Sequence, residues 1–144
     1  MNTQIETSAS EPSYGFTAQL DTPSFEAARE RVIEALKQEG FGVLTEADVA
    51  ATLKKQLGVD FRRYVILGAC NPQLAHQALL AELGIGLLLP CNVCVWQEGE
   101  VIVVSVADPR AMFQIVANPR LQPVVEEATR RLRRALTAMA SLSA

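Results

Sequence analysis

Between Ile85 and Val106 an almost unbroken apolar run gives way to Gln97-Glu98-Gly99-Glu100 and then to Val101-Ile102-Val103-Val104-Ser105-Val106. Two β-forming runs joined by a short polar segment with a glycine form an antiparallel hairpin. An antiparallel sheet is therefore required of any fold this chain adopts. The first run, Ile85 to Trp96, shows no alternation, so it reads as one strand covered on both faces. Pro90 would remove a ladder donor and is expected at a bulge or an unpaired edge position.

The remaining elements are placed around that hairpin. Tyr14, Phe16, Ala18 and Leu20 alternate, which predicts a strand over Tyr14–Leu20. Asp21 or Thr22 then caps and Pro23 opens a helix whose Phe25, Ala28, Val32, Ile33 and Leu36 keep helical spacing until Gly40. A short strand, Phe41–Thr45, follows, with Glu46 and Asp48 just beyond its end. Asp48 caps a helix ending at Gly58, with Val49, Leu53 and Leu57 on one face. Phe61 to Cys70 is the third strand. Asn71 caps the next helix and Pro72 occupies its first position, where no N–H is needed. That helix turns Leu74, Ala75, Ala78 and Leu79 inward and ends at Gly84. Asp108-Pro109 and Asn118-Pro119 repeat one helix-start chemistry. The last helix runs from Pro123 to about Met139 on a stripe of Val124, Val125, Ala128, Leu132, Ala135, Leu136 and Met139.

This order, β-α-β-(α)-β-(α)-β-β-α, predicts an α+β domain rather than a doubly wound sheet. Two long helices cover one sheet face, which leaves the other to short inserted helices or to a second copy of the chain; a homodimer is expected. A length of 144 residues suits one domain. Met1 to Ser13 is polar and reads as a disordered lead-in, with the single α+β domain spanning 14–144. No signal peptide, lipidation motif or membrane-length apolar run is legible, and an odd number of cysteines, three, suits free thiols; the expected location is the cytoplasm. A net charge of −3 argues against nucleic acid as a general partner. Arg130, Arg131, Arg133 and Arg134 form the local exception, read as a solvated face matched to the helix dipole, with an RNA or phosphate contact as the alternative.

Several segments carry a family resemblance. Gly40-Phe41-Gly42-Val43-Leu44-Thr45-Glu46 with Asp48, Leu67-Gly68-Ala69-Cys70-Asn71-Pro72 with Ala75, Gly86-Leu87-Leu88-Leu89-Pro90-Cys91-Asn92-Val93, and Asp108-Pro109 resemble the domain-of-unknown-function family DUF302. The resemblance implies a β-α-β4-α antiparallel sheet similar to the TATA-box-binding-protein-like architecture, commonly as a dimer. It implies no known reaction. Cys94 lies outside the resemblance.

The candidate chemistry centres on Cys70, at the mouth of a helix whose N-terminal partial charge favours thiolate. His76, the only histidine, follows Pro72 by one helical turn, and a side chain leaning toward the N-terminus would reach back to that thiol. The leading reading is a small ligand- or ion-binding protein with a pocket walled by Cys70, Asn71, His76, Cys91 and Asn92. Glu46, Asp48 and Asp108 are expected near its rim, at the ends of predicted strands. A thiol enzyme or redox protein with Cys70 as nucleophile and His76 as base is the alternative. An interaction module using the sheet face or the Arg run is the third. Cys70, His76 and Cys91 also make a conceivable soft-metal trio, although a fourth ligand is missing. Cys91 and Cys94 have redox spacing, but strand residues three apart point to opposite faces. No Ser/His/Asp signature, glycine-rich phosphate loop or His-x-x-x-His spacing is present, so neither a cofactor nor a resident metal is expected.

Overall fold

Two valine-rich strands, β4 (Cys91–Glu98) and β5 (Val101–Ala107), form the hairpin that the sequence demands, with Gly99 at φ 60° in the turn. This computed structural model describes residues 12–141. The expected lead-in, Met1 to Ser13, lies outside the described residues apart from Pro12 and Ser13, and Pro12 accepts from the Gly15 N–H at 3.2 Å. β1 (Gly15–Leu20) pairs with the free edge of β5, while β3 (Tyr64–Cys70) and then β2 (Gly42–Asp48) extend the sheet beyond β4. The order is β1-β5-β4-β3-β2, with each neighbouring pair antiparallel. The chain folds as the α+β class predicts.

Alternation decides which face is covered. Phe16 and Leu20 of β1, Val65 and Leu67 of β3, Val93 and Val95 of β4, and Val104 and Val106 of β5 share one face and are all buried. On them pack α1 (Phe25–Gln38), α3 (Pro72–Ala81) and α5 (Gln122–Ser141), through Ala28, Val32 and Leu36, Leu74 and Ala78, and Leu132, Ala135 and Met139. The short α2 (Val49–Leu57) buries none of its residues, and Leu57, expected on its inner face, is 67% exposed. A four-residue α4 (Pro109–Met112) and two 3-10 turns, Leu83–Leu88 and Pro119–Leu121, complete the described chain.

Several boundaries differ from those read in the sequence, each for a physical reason. The run Ile85 to Trp96 is not one strand. Its first part is the 3-10 turn, where Ile85 is buried and Leu87 is 92% exposed, and Pro90 lies just ahead of β4, outside the ladder. The missing alternation came from adding two elements together; from Asn92 to Trp96 within β4 burial does alternate. β2 runs on through Glu46 to Asp48 because a bulge at Leu44 restores its pairing with β3. β3 starts at Tyr64 rather than Phe61. Ser24, not Asp21 or Thr22, caps α1: its Oγ accepts from the Ala27 N–H at 3.0 Å, with Pro23 outside the helix. α3 stops at Ala81, before Gly84, where Asn118 Nδ2 donates to the Ala81 carbonyl at 3.2 Å and Arg120 to the Leu80 carbonyl at 3.4 Å. The second Asx-Pro motif therefore caps its own 3-10 turn through Asn118 Oδ1 and closes the C-terminus of α3 as well.

The arginine run is committed within the chain. Arg130 and Arg131 both pair with Glu127, Arg134 pairs with Glu39, and the Arg133 guanidinium lies 4.0 Å above the ring of Phe16. These contacts favour the solvated-face reading over a phosphate contact. Among the described residues no helix is long and apolar enough to cross a membrane.

Candidate functional site

The junction of β3 and α3 folds as its residues dictate. Asn71, 6% exposed, accepts from the Leu74 N–H at 3.1 Å and Pro72 opens the helix. Gly40 must be glycine here: its φ is +86°, and a Cβ on it would stand 2.8 Å from Asn71 Nδ2. Cys91 opens β4 opposite Ala69, beside Cys70, and both cysteines line one small cavity whose walls include Phe41, Leu74, Ala78, Val125 and Ala128. Its volume is about 30 Å³, room for a water molecule or two and far below the several hundred Å³ of a small-molecule site. Burial pushes the Cys91 thiol up to about 11, helped by its neighbour Cys70, and desolvation raises Cys70 too. Burial works against the thiolate that the helix N-terminus would favour, and neither cysteine is shifted toward ionisation near neutral pH.

His76 does not join them. The inward stripe of α3 is Leu74 and Ala78, so His76, midway between, falls on the outer face with Pro72, and both are exposed. Its one-turn spacing from Pro72 was read correctly, but the face they share is the wet one. No cluster of three His, Cys, Asp or Glu side chains among the described residues is placed to hold a metal, so the trio Cys70, His76, Cys91 is not assembled.

The larger space lies on the opposite sheet face. Asn92, Cys94 and Trp96 point away from Cys91, Val93 and Val95, which also sends the two cysteines of Cys91-x-x-Cys94 to opposite sides as strand geometry requires. With Tyr14, Tyr64, Ser105 and Met112 they line a groove of about 330 Å³. The rings of Tyr64 and Trp96 stack across β3 and β4, centroids 5.5 Å apart and planes 8° from parallel. Tyr64 shares a hydrogen bond with Cys94; burial raises both groups, and for Cys94 that bond offsets part of the rise. Ser105 and Thr17 hydroxyls bond at 3.0 Å. The Trp96 indole N–H donates to Glu98 at 3.2 Å, and Arg62 neutralises that buried carboxylate at 2.9 Å.

The profile of the domain of unknown function DUF302 matches residues 16–139, from β1 into α5. The chain belongs to the DUF302 family. It is similar to the crystal structure of an uncharacterized conserved DUF302 protein from Bacillus stearothermophilus, with 32% identity and a TM-score of 0.81 over 89% of this chain and 99% of that one. Comparison with curated proteins finds no match.

The carboxylates of this DUF302 domain are occupied elsewhere. Glu46 takes the Arg29 Nε–H at 2.7 Å, and that hydrogen bond holds its carboxyl below the usual range. Asp48 accepts from the Ala51 N–H at 2.9 Å, and Asp108 from the Arg110 N–H at 2.9 Å and its guanidinium at 3.1 Å. None of the three lines the cysteine cavity or the groove. Of the eight candidate residues, the cavity gathers Cys70, Asn71 and Cys91, and the groove takes Asn92. Tyr64, Cys94 and Trp96 were missed as site residues. Their signal was parity: had β4 been started at Cys91, Asn92, Cys94 and Trp96 would have fallen on one face.

The raised Cys91 thiol carries a stability prediction. An acid whose native pKa lies above its unfolded one contributes fully below the unfolded value, and the contribution is lost as pH rises through the native value. With Cys91 at about 11, stability should fall from about pH 9 upward, by about 2–3 kcal/mol in all. Urea melts of the native chain and of Cys91→Val across that range check it: the variant should show a correspondingly smaller decline. Parallel pH profiles for the two would refute it.

Proposed function

We propose that this DUF302 protein binds a small, uncharged, planar molecule in the groove on the open sheet face. One observation carries this: a space of about 330 Å³ with a stacked Tyr64–Trp96 floor and no charged side chain in its lining. Such a volume lies in the range of small-molecule sites, flat rings favour a flat partner, and Asn92, Ser105 and Tyr14 supply neutral donors and acceptors to orient it. The ligand-binding reading made from the sequence thus keeps its class and moves from Cys70 to Cys94's side of the sheet. The thiol-enzyme reading has less support, since Cys70 has no base beside it and its thiol is raised.

Trp96 is the only tryptophan, so its fluorescence reports this groove alone. Adenine, caffeine and 1-naphthol serve as neutral planar probes, with benzoate and cyclohexanol as charged and non-planar controls. Saturable quenching by a planar probe is expected, weakened by Tyr64→Ala and abolished by Cys94→Leu, which fills the groove. Absence of saturable quenching by all three planar probes, or quenching unchanged in both variants, would refute the proposal.

A homodimer through the same face is the second reading, supported by its unpacked apolar groups. Tyr64, Ile66 and Trp96 are only half-buried and Phe61 is 49% exposed, while α1, α3 and α5 all sit on the other side. Light scattering at micromolar concentration should give about twice the chain mass of 15.6 kDa; a monomer mass would end this reading. A cytoplasmic location is proposed with it, because the three cysteines are unbridged thiols suited to a reducing compartment.

A further inference from the structure

We propose that Gly40, Asn71 and Arg131 form a recognition site for the carboxylate of a small monoanionic molecule. The site lies on the helical side of the sheet, apart from the groove, and does not rest on the reading of it. Three elements meet there: the turn that ends α1, the mouth of α3, and the middle of α5. The position a Cβ would take on Gly40 is 2.8 Å from Asn71 Nδ2 and 3.3 Å from Arg131 Nη1. Two N–H donors therefore flank a spot that the missing side chain leaves open. Their nitrogens stand within about 6 Å of each other, a span that one carboxylate covers with two charge-assisted hydrogen bonds of about 2.8 Å.

Neither donor is used inside the fold. Asn71 accepts from the Leu74 N–H with its Oδ1, and Arg131 donates to Glu127 with its Nε at 2.6 Å. Among the described residues no hydrogen bond engages Asn71 Nδ2 or Arg131 Nη1. Asn71 is nevertheless 6% exposed, and an amide so nearly buried ordinarily has an acceptor. Its nitrogen is not sealed off: among the described residues no side-chain N or O is both fully enclosed and unpartnered, so Nδ2 is open to a guest beside the exposed Gly40. Capping does not explain the choice of residue, since aspartate or serine caps equally well through its oxygen. Of the three, only asparagine adds an N–H2 that donates.

Electrostatics select the charge of the guest. Arg130, Arg131 and Arg134 are paired here with Glu127 and Glu39, three guanidinium groups against two carboxylates, which leaves one positive charge in the cluster. The N-terminus of the ten-residue α3 adds partial positive charge of the same sign. One negative charge balances this surplus, and a planar two-oxygen acceptor matches the edge of a guanidinium.

The test is a titration of the full chain with sodium acetate at constant ionic strength, followed by proton–nitrogen correlation spectra that resolve the Asn71 side-chain amide. Acetamide, the neutral isostere, and sulfate, a dianion, are titrated in parallel. Acetate should shift the Asn71 N–H2 and Gly40 N–H signals saturably, acetamide should not, and sulfate should bind at least tenfold more weakly. Asn71→Ser keeps a capping oxygen and loses the N–H2; Arg131→Gln keeps a donor toward Glu127 and loses the charge. Each should weaken acetate at least tenfold, read at the Gly40 N–H, whereas Arg130→Gln should leave it within twofold. No saturable shift by acetate, an equal response to acetamide, sulfate binding as tightly as acetate, or undiminished acetate binding in either variant would overturn the site. Should Asn71→Ser unfold, Arg131→Gln at its half-exposed position decides alone: a tenfold loss sustains the proposal and retained affinity overturns it.

Discussion

Phe16→Ala is expected to lower the free energy of unfolding by about 3–5 kcal/mol, a large share of the 5–15 kcal/mol available to a domain of this kind. Phe16 sits on β1 opposite Val106, 2% exposed, where α5 crosses the sheet edge. Removing its ring takes away most of its buried apolar area and leaves a cavity that two rigid elements, a sheet and a twenty-residue helix, cannot collapse to fill. It also removes the surface beneath Arg133, whose guanidinium stands 4.0 Å above the ring. That second contribution is small, since a cation over a ring near solvent is worth about 0.5–1 kcal/mol. Urea denaturation of Phe16→Ala beside Arg133→Ala separates the two. The first should move the midpoint several times further than the second at unchanged slope. Equal shifts would mean that the ring's value lies in the arginine contact rather than in the core.

Gly68→Val should prevent stable folding, and Gly68→Ala should cost about 1–3 kcal/mol through overpacking. Gly68 is a buried glycine in the middle of β3, a position where glycine ordinarily weakens a strand. Its place is explained by what stands over it. A Cβ there would lie 2.7 Å from Pro90 Cγ and would overlap Thr45 Oγ1. The hydroxyl can rotate away, but the proline ring is stiff and is held by the chain entering β4. A valine would drive two further methyl groups into the same space. Thermal melts of Gly68→Ala, Thr45→Ala and the double variant apportion the clash. The double variant should recover part of the loss and no more, because Pro90 remains. Complete recovery would assign the whole conflict to Thr45, and no loss in Gly68→Ala would show that β4 can retreat freely.

What could be read from the chain alone was local, and it was read where a side chain bonds to backbone two or three residues away. Asp48, Asn71, Asp108 and Asn118 all cap where they were expected to, and Gly58 ends α2 in the left-handed conformation at φ 69°. Such contacts depend on nothing distant. The hairpin of β4 and β5 was equally legible, because its register is set by the turn between them. Family membership rested on short segments that keep this local chemistry together.

Tertiary structure alone decided which way the chemistry faces. His76 was placed one helical turn after Pro72, within reach of Cys70, yet spacing does not say which side of α3 meets the core; Leu74 and Ala78 took that side and left His76 in solvent. The helix N-terminus favoured a thiolate at Cys70, but the burial that opposes it comes from α5 and β4, distant in sequence. Cys94 gained its surroundings from Tyr64, thirty residues earlier, and from Ser105 across the hairpin, neighbours that only strand pairing supplies. Burial is a sum over the whole fold, and a sequence window holds only its own few contributors to that sum.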